Sequence, residues 1–184
     1  ENYYINKEYK KAKNLLKNFK KKDEFYYWFR IKKEGQIIIK QQGNEIGMDF
    51  VTSNFDKIDN PNLRMIFDLA NFLKNSKRYE KAIKYYAQVI SSLDVDSEIK
   101  SDLLYRRGGS YERLGNYKKA DKDLLYSLKI KPDDAYILNY LAYSWLERDY
   151  QIDEAMKMLE KAYELKSNDP YIIDSIGWAY FLIE

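Results

Sequence analysis

The chain has 184 residues, 45% of them apolar and 33% charged, with only 3 prolines and 7 glycines; these are globular proportions that suit helices better than an all-β fold and set disorder aside. It holds neither cysteine nor histidine. Disulfides, thiolate metal sites, the commonest general base and every Ser-His-Asp or Cys-His arrangement are thereby excluded.

Charge is unevenly spread behind a net of +3: residues 1–40 hold 12 Lys/Arg against 5 Asp/Glu, and the remainder 20 against 24. Such a basic end suits an anionic polymer, a lipid surface or nucleic acid. Against that, Tyr9, Ala12, Leu16 and Phe19 fall at helical spacing, so the lysines read as the wet face of an ordinary helix and nucleic acid is not favoured. No apolar run reaches the roughly 20 residues of a membrane span, and the longest candidate, 171–183, is interrupted by Asp174. The sequence opens on Glu1 without an apolar leader and reads as a trimmed piece, so it carries no information on export.

In chain order, residues 1–22 read as the end of one helical repeat, with Tyr9-x2-Ala12-x3-Leu16 on one helix face. A helix is expected from Phe25 to about Gln41, and another from about Asn44 to Lys57 with Gly47 or Met48 at the small-residue position. Gly35 and the β-branched run Ile37-Ile38-Ile39 leave an extended hairpin open as the alternative here. From residue 60 the punctuation is regular. Asn60-Pro61 and Asp169-Pro170 place a capping side chain before a proline at the first helical position. Asp96 or Ser97, with Glu98, opens the helix that carries Tyr105 and Tyr111. Gly115-Asn116 turns the chain inside a repeat, and Lys131-Pro132-Asp133-Asp134 ends one helix and caps the next. Ten helices are expected, the last, from Pro170, without its partner.

One pattern recurs through these helices. Leu104-x2-Arg107-Gly108-x2-Tyr111 is followed by Ala120-x3-Leu124, and Leu138-x2-Leu141-Ala142-x2-Trp145 by Ala155-x3-Leu159. Ile66-x2-Leu69-Ala70-x2-Leu73 precedes Tyr79-x2-Ala82-x3-Tyr86, and Ile173-x2-Ile176-Gly177-x2-Tyr180 closes the series. Gly108 and Ala142 lie 34 residues apart, the period of the two-helix tetratricopeptide repeat, in which a small residue lets the helices approach closely. Such units bury their apolar faces by stacking on neighbours, which gives an all-α, right-handed superhelical solenoid. Residues 61–184 are then three repeats plus the first helix of a further one, and residues 1–60 are divergent, basic, aromatic-rich repeats.

On Leu138-Asn139-Tyr140-Leu141-Ala142-Tyr143-Ser144-Trp145, Asp153-Glu154-Ala155, Lys161-Ala162 and Asp174-Ser175-Ile176-Gly177-Trp178-Ala179-Tyr180, the chain resembles tetratricopeptide-repeat proteins of proteobacteria. That resemblance implies an envelope-associated adaptor or scaffold, exported to the periplasm or outer membrane, with a cytoplasmic location left open as the alternative. It also implies a concave groove lined by the first helix of each repeat. The groove positions would be Arg64, Phe67, Asn71, Lys74 and Asn75; Asp102, Tyr105, Gly109, Glu112 and Arg113; Tyr136, Asn139, Tyr143, Leu146 and Glu147; and Tyr171, Asp174, Trp178 and Phe181. Aromatic and arginine side chains on such a wall are the types that dominate binding hot spots.

The expected function is therefore a non-enzymatic interaction module that binds a peptide or protein segment, without cofactor or metal. Anionic polymer, lipid or nucleic-acid binding through the basic first 40 residues is the alternative. Phe67, Tyr105 and Tyr143 stand where a heat-shock carboxylate clamp would need lysine or asparagine, which argues against that ligand. Asp94-x-Asp96-x-Glu98 has half of a calcium loop and lacks its glycine and closing glutamate. Self-association through the unpaired last helix is also expected.

Overall fold

Helical periodicity prevails throughout the described residues. The computed structural model describes residues 6–17, 24–92 and 98–183, and ten helices and no strand occur among them. In order they are α1 (Tyr9–Leu16), α2 (Glu24–Gln42), α3 (Asn44–Phe55), α4 (Leu63–Asn75), α5 (Tyr79–Ser91), α6 (Glu98–Arg113), α7 (Tyr117–Ile130), α8 (Ala135–Leu146), α9 (Ile152–Leu165) and α10 (Pro170–Ile183). Two compact units divide the chain, Glu1–Arg78 and Tyr79–Glu184. The boundary between the units falls after α4, inside the span 61–184 that the sequence pattern reads as one array.

In the first unit α2 and α3 form a helical hairpin, not an extended one. Gly43, at φ 101°, turns the chain between them. The run Ile37–Ile39 is helical because the hairpin buries it: Ile37 is wholly covered, and packing outweighs the small helix penalty of β-branching. The crossing is close. A Cβ on Gly35 would lie 2.1 Å from Val51 Cγ2, and one on Gly47 would lie 2.8 Å from the Ile39 backbone nitrogen. Trp28 packs edge-on against Phe55 at 5.0 Å.

The helix starts show where chain punctuation was read correctly. Asp169 accepts from the Tyr171 and Ile172 amides, and Asp134 from those of Tyr136 and Ile137, so both act as side-chain caps. Asn60-Pro61 does not start α4. Asn62 does, accepting from the Met65 amide at 3.0 Å, and Pro61 lies outside the helix. Asn116 makes no side-chain cap; its turn rests on Gly115, at φ 71°, and on backbone bonds back to Tyr111 and Glu112. The expected caps of α6, Asp96 or Ser97, and the Asp94 and Asp96 of the calcium-like motif lie outside the described residues.

The second unit is a series of close-packed hairpins. A Cβ on Gly108 would meet Leu124 Cγ at 2.9 Å and the Ala120 carbonyl at 3.3 Å, so the small-residue motif does set how closely α6 approaches α7. Ala120, Ala142, Ala155 and Ala162 are fully buried, with Leu124, Leu141 and Leu159 beside them. Lower on the same hairpin, Ser101 and Ser127 each donate to the other's backbone carbonyl, at 3.0 and 2.8 Å. These two buried hydroxyls are tolerated because both are bonded.

Candidate functional site

The first helices of the second unit's repeats, α6, α8 and α10, carry most of the expected groove positions. Helical spacing puts Tyr136, Asn139, Tyr143 and Glu147 along one face of α8, and Tyr171, Asp174, Trp178 and Phe181 along one face of α10. The opposite side of α8 is filled: Leu138, Leu141, Ala142 and Trp145 are buried. Tyr136, Tyr143 and Trp178 nevertheless remain 45%, 39% and 39% exposed. They are aromatics beyond those the core requires.

Their polar ends are held in place. Trp178 donates its indole N–H to Glu147 at 2.8 Å, tying α10 to α8, and its ring stacks on Phe181 at 5.4 Å. Tyr136 donates to Asp169 at 3.0 Å, and the Lys166 ammonium sits 4.9 Å above its ring. The Tyr143 pKa is raised, by burial first and then by Glu147, whose carboxylate its hydroxyl faces. Glu112 lies 3.5 Å from the Arg113 guanidinium.

Tyr105 plays a different part from the one expected of it. It packs partly buried against the core, edge-on to Tyr140 at 5.5 Å. Burial raises its pKa, and Asp134 adds to the rise. Leu146, also expected on the wall, is buried in the core. Gly109 lies beneath Tyr140, where a Cβ would come within 3.2 Å of the phenol oxygen. Tyr140 itself was absent from the expected set. Its hydroxyl donates to Glu112 at 2.9 Å, linking α8 to α6, and only the bare Gly109 opposite would have revealed it. The Asn139 side-chain oxygen is buried and, among the described residues, accepts no hydrogen bond.

In the first unit, α4 carries Arg64, Phe67, Asn71 and Lys74. Arg64 is largely exposed and pairs with Asp68 at 3.4 Å; the same carboxylate also holds Lys32 of α2. Phe67, Asn71 and Lys74 are half-buried. Among the described residues no group of His, Cys, Asp and Glu is arranged to hold a metal, and no helix is long and apolar enough to cross a membrane.

This geometry belongs to a known class. A family model described as tetratricopeptide repeat matches residues 63–92 and 101–134. The chain carries tetratricopeptide repeats and has the all-α fold of tetratricopeptide-repeat solenoids. A TPR repeat-containing protein of Pseudomonas aeruginosa is 32% identical over 109 residues, which cover 59% of this chain and 18% of that protein. The chain thus matches about a fifth of its curated relative's length. Among solved structures, a tetratricopeptide repeat protein from Parabacteroides merdae superposes with TM-score 0.73 at 17% identity, covering 99% of this chain and 70% of the other. A structure of MamA gives 0.64 at 17% identity, covering 90% and 93%. The first TPR of Spaghetti (RPAP3), bound to an HSP90 peptide, gives 0.58 at 16% identity, covering 66% and 92%. At these identities the likeness is one of fold.

Proposed function

We propose that the α6–α8–α10 wall of the second unit binds an extended protein segment, and that the chain works as a non-enzymatic adaptor. The observation that carries this reading is the row Tyr136, Tyr143 and Trp178, exposed on two successive first helices, the core face of α8 being already filled by Leu138, Leu141, Ala142 and Trp145. Aromatics with oriented polar ends give large contact area at low entropic cost. Glu112, Arg113 and Glu147 supply charge at the rim, and the buried Asn139 oxygen accepts no hydrogen bond among the described residues. Repeats of this class typically act as scaffolds, and a relative of the fold holds a peptide. Arg64, Phe67, Asn71 and Lys74 occupy the matching register of α4 and are assigned the same role in the first unit.

The test is selection of peptides from a displayed random library on the intact chain, followed by affinity measurement on the Tyr143→Ala/Trp178→Ala variant. Selected peptides should lose at least ~10-fold in affinity on the variant. Ligands that bind both proteins equally, and that dissociate steeply with added salt, would instead favour anionic binding at the basic end.

A further inference from the structure

Helix α2 keeps more aromatic surface than its own core can use. Trp28 and Ile31 are buried and Gly35 packs on Val51, so the face toward α3 is filled. One step round the same helix, Phe25 and Phe29 stand a turn apart and are 58% and 37% exposed. Helix α4 belongs to the same unit and meets this side of α2 at two places. Asp68 holds Lys32, and a Cβ on Gly35 would lie 3.6 Å from Phe72. Between the two helices is a cavity of about 400 Å³, lined by Phe25, Trp28, Phe29, Lys32, Arg64 and Asp68.

The charges of that cavity are unequally committed. Lys32 is only 25% exposed, bound to Asp68, and its ammonium lies 5.5 Å from the Trp28 ring centroid. Arg64 reaches the other Asp68 oxygen through Nε at 3.4 Å, longer than a normal hydrogen bond, and its side chain stays 77% exposed. Two cations thus share one carboxylate, and the outer one keeps donors for a second. The Lys33 ammonium, 5.8 Å from the Phe29 ring centroid, adds to the positive field, and residues 1–78 hold 17 Lys/Arg against 10 Asp/Glu. A matching occupant is negative beside Arg64 and apolar beside the rings.

We propose that this α2–α4 cavity takes one large apolar side chain of an acidic protein segment, seated against Phe25 and Phe29, with a neighbouring Asp or Glu paired to Arg64. The proposal rests on the reading of α4 as a binding surface and adds the ligand chemistry that the first unit favours. A volume of about 400 Å³ is at the small end of ligand sites, roughly 300–1,000 Å³, and suits a single anchoring side chain. A polyanion needs a row of cations, each matched to a phosphate; here one guanidinium stands beside two rings. The rings give the anchor its contact area, and the fork of guanidinium and carboxylate fixes its register.

Peptide selection from a displayed random library tests this, with the Tyr143→Ala/Trp178→Ala chain as bait so that the second unit's wall is silent. Selected peptides should carry a large apolar residue next to Asp or Glu. Arg64→Glu should weaken them at least ~10-fold, and replacing the peptide's acidic residue with lysine should recover binding to that variant. Phe25→Ala/Phe29→Ala should also cost at least ~10-fold. All three side chains are exposed, so far-ultraviolet circular dichroism should be unchanged. In NMR titrations the Trp28 indole signal should move and that of Trp145 should stay. A bait that selects no peptide overturns the cavity and leaves the second unit's wall to be judged on the intact chain. Peptides that tolerate the charge reversal overturn it as well. Peptides that weaken with Arg64→Glu and added salt, yet ignore Phe25→Ala/Phe29→Ala, overturn it in favour of electrostatic attraction at the basic end. Peptides that pass every arm, while the intact chain yields none dependent on Tyr143 or Trp178, uphold the cavity and sink the wall.

Discussion

Arg107 of α6 grips Asp123 of α7 at two points, Nε to Oδ2 at 2.6 Å and Nη2 to Oδ1 at 2.8 Å, inside the hairpin, at positions where the following repeat has Leu141 and Met158. The aspartate side chain is only 7% exposed, and its bond to Arg107 keeps the guanidinium protonated, its pKa raised despite the opposing effect of burial.

Removing one partner strands the other. Asp123→Ala should cost about 3 kcal/mol of unfolding free energy in a urea titration, whereas Arg107→Leu/Asp123→Leu should be close to neutral. A single substitution as mild as the double one would mean that the pair is solvated in solution.

Ala120 and Gly177 occupy opposite kinds of space. Ala120 is fully buried against α6, so Ala120→Leu should overpack the hairpin and cost roughly 1–3 kcal/mol. Gly177→Ala should do the reverse, adding about 0.5–1 kcal/mol, since a methyl there meets nothing within 4 Å and helical glycine is entropically costly. Thermal melts of both variants decide it; equal signs would contradict the register of the repeat.

Tyr140 gives the second unit an alkaline limit. Its pKa is raised above the ordinary 10.0, by burial first and by Glu112 next, and Tyr86 is raised too, by burial. The unfolded chain releases these protons at the lower, ordinary value. The associated stability is therefore intact below pH 10 and is lost as pH climbs from there through the folded values. Tyr140→Phe should make the melting temperature fall less steeply in that window. An unchanged slope would remove Tyr140 from the account.

The two kinds of wall aromatic should separate on substitution. Tyr143→Ala and Trp178→Ala should each weaken a selected peptide by more than ~1 kcal/mol at unchanged helicity. Tyr105→Ala should instead lower the melting temperature, because that ring packs on the core and on Tyr140. Loss of binding from Lys118→Ala or Lys119→Ala of the same size would point to electrostatic attraction.

The repeat was legible because its signal is physical and periodic: Gly108, Ala120, Ala142 and Ala155 must be small wherever two helices cross closely. Local punctuation was less so. Asn60, Asn62 and Asn116 are equivalent as residue types, and only backbone geometry selects Asn62 as the side chain that caps. Ile37–Ile39 carried a strand preference that burial in the α2–α3 hairpin overrides. At the wall, spacing alone put Leu146 and Tyr105 beside Tyr143, yet the core takes Leu146 and most of Tyr105. Contacts between repeats, such as Asp121 holding both Trp145 at 2.9 Å and Arg148 at 2.8 Å, depend on how one hairpin leans on the next, and no short motif encodes that.

Ser101 and Ser127 bond to each other's backbones with the same chemistry in both directions, and their hydroxyls also meet at 2.8 Å. Each hydroxyl bonds to a backbone carbonyl, so an alanine at one site leaves the other site's bond in place and costs on the order of 1 kcal/mol for the bond it removes. A side chain larger than serine would instead force the two helices apart. Across descendants of this sequence both sites should thus stay small, serine or alanine, and each should change without the other.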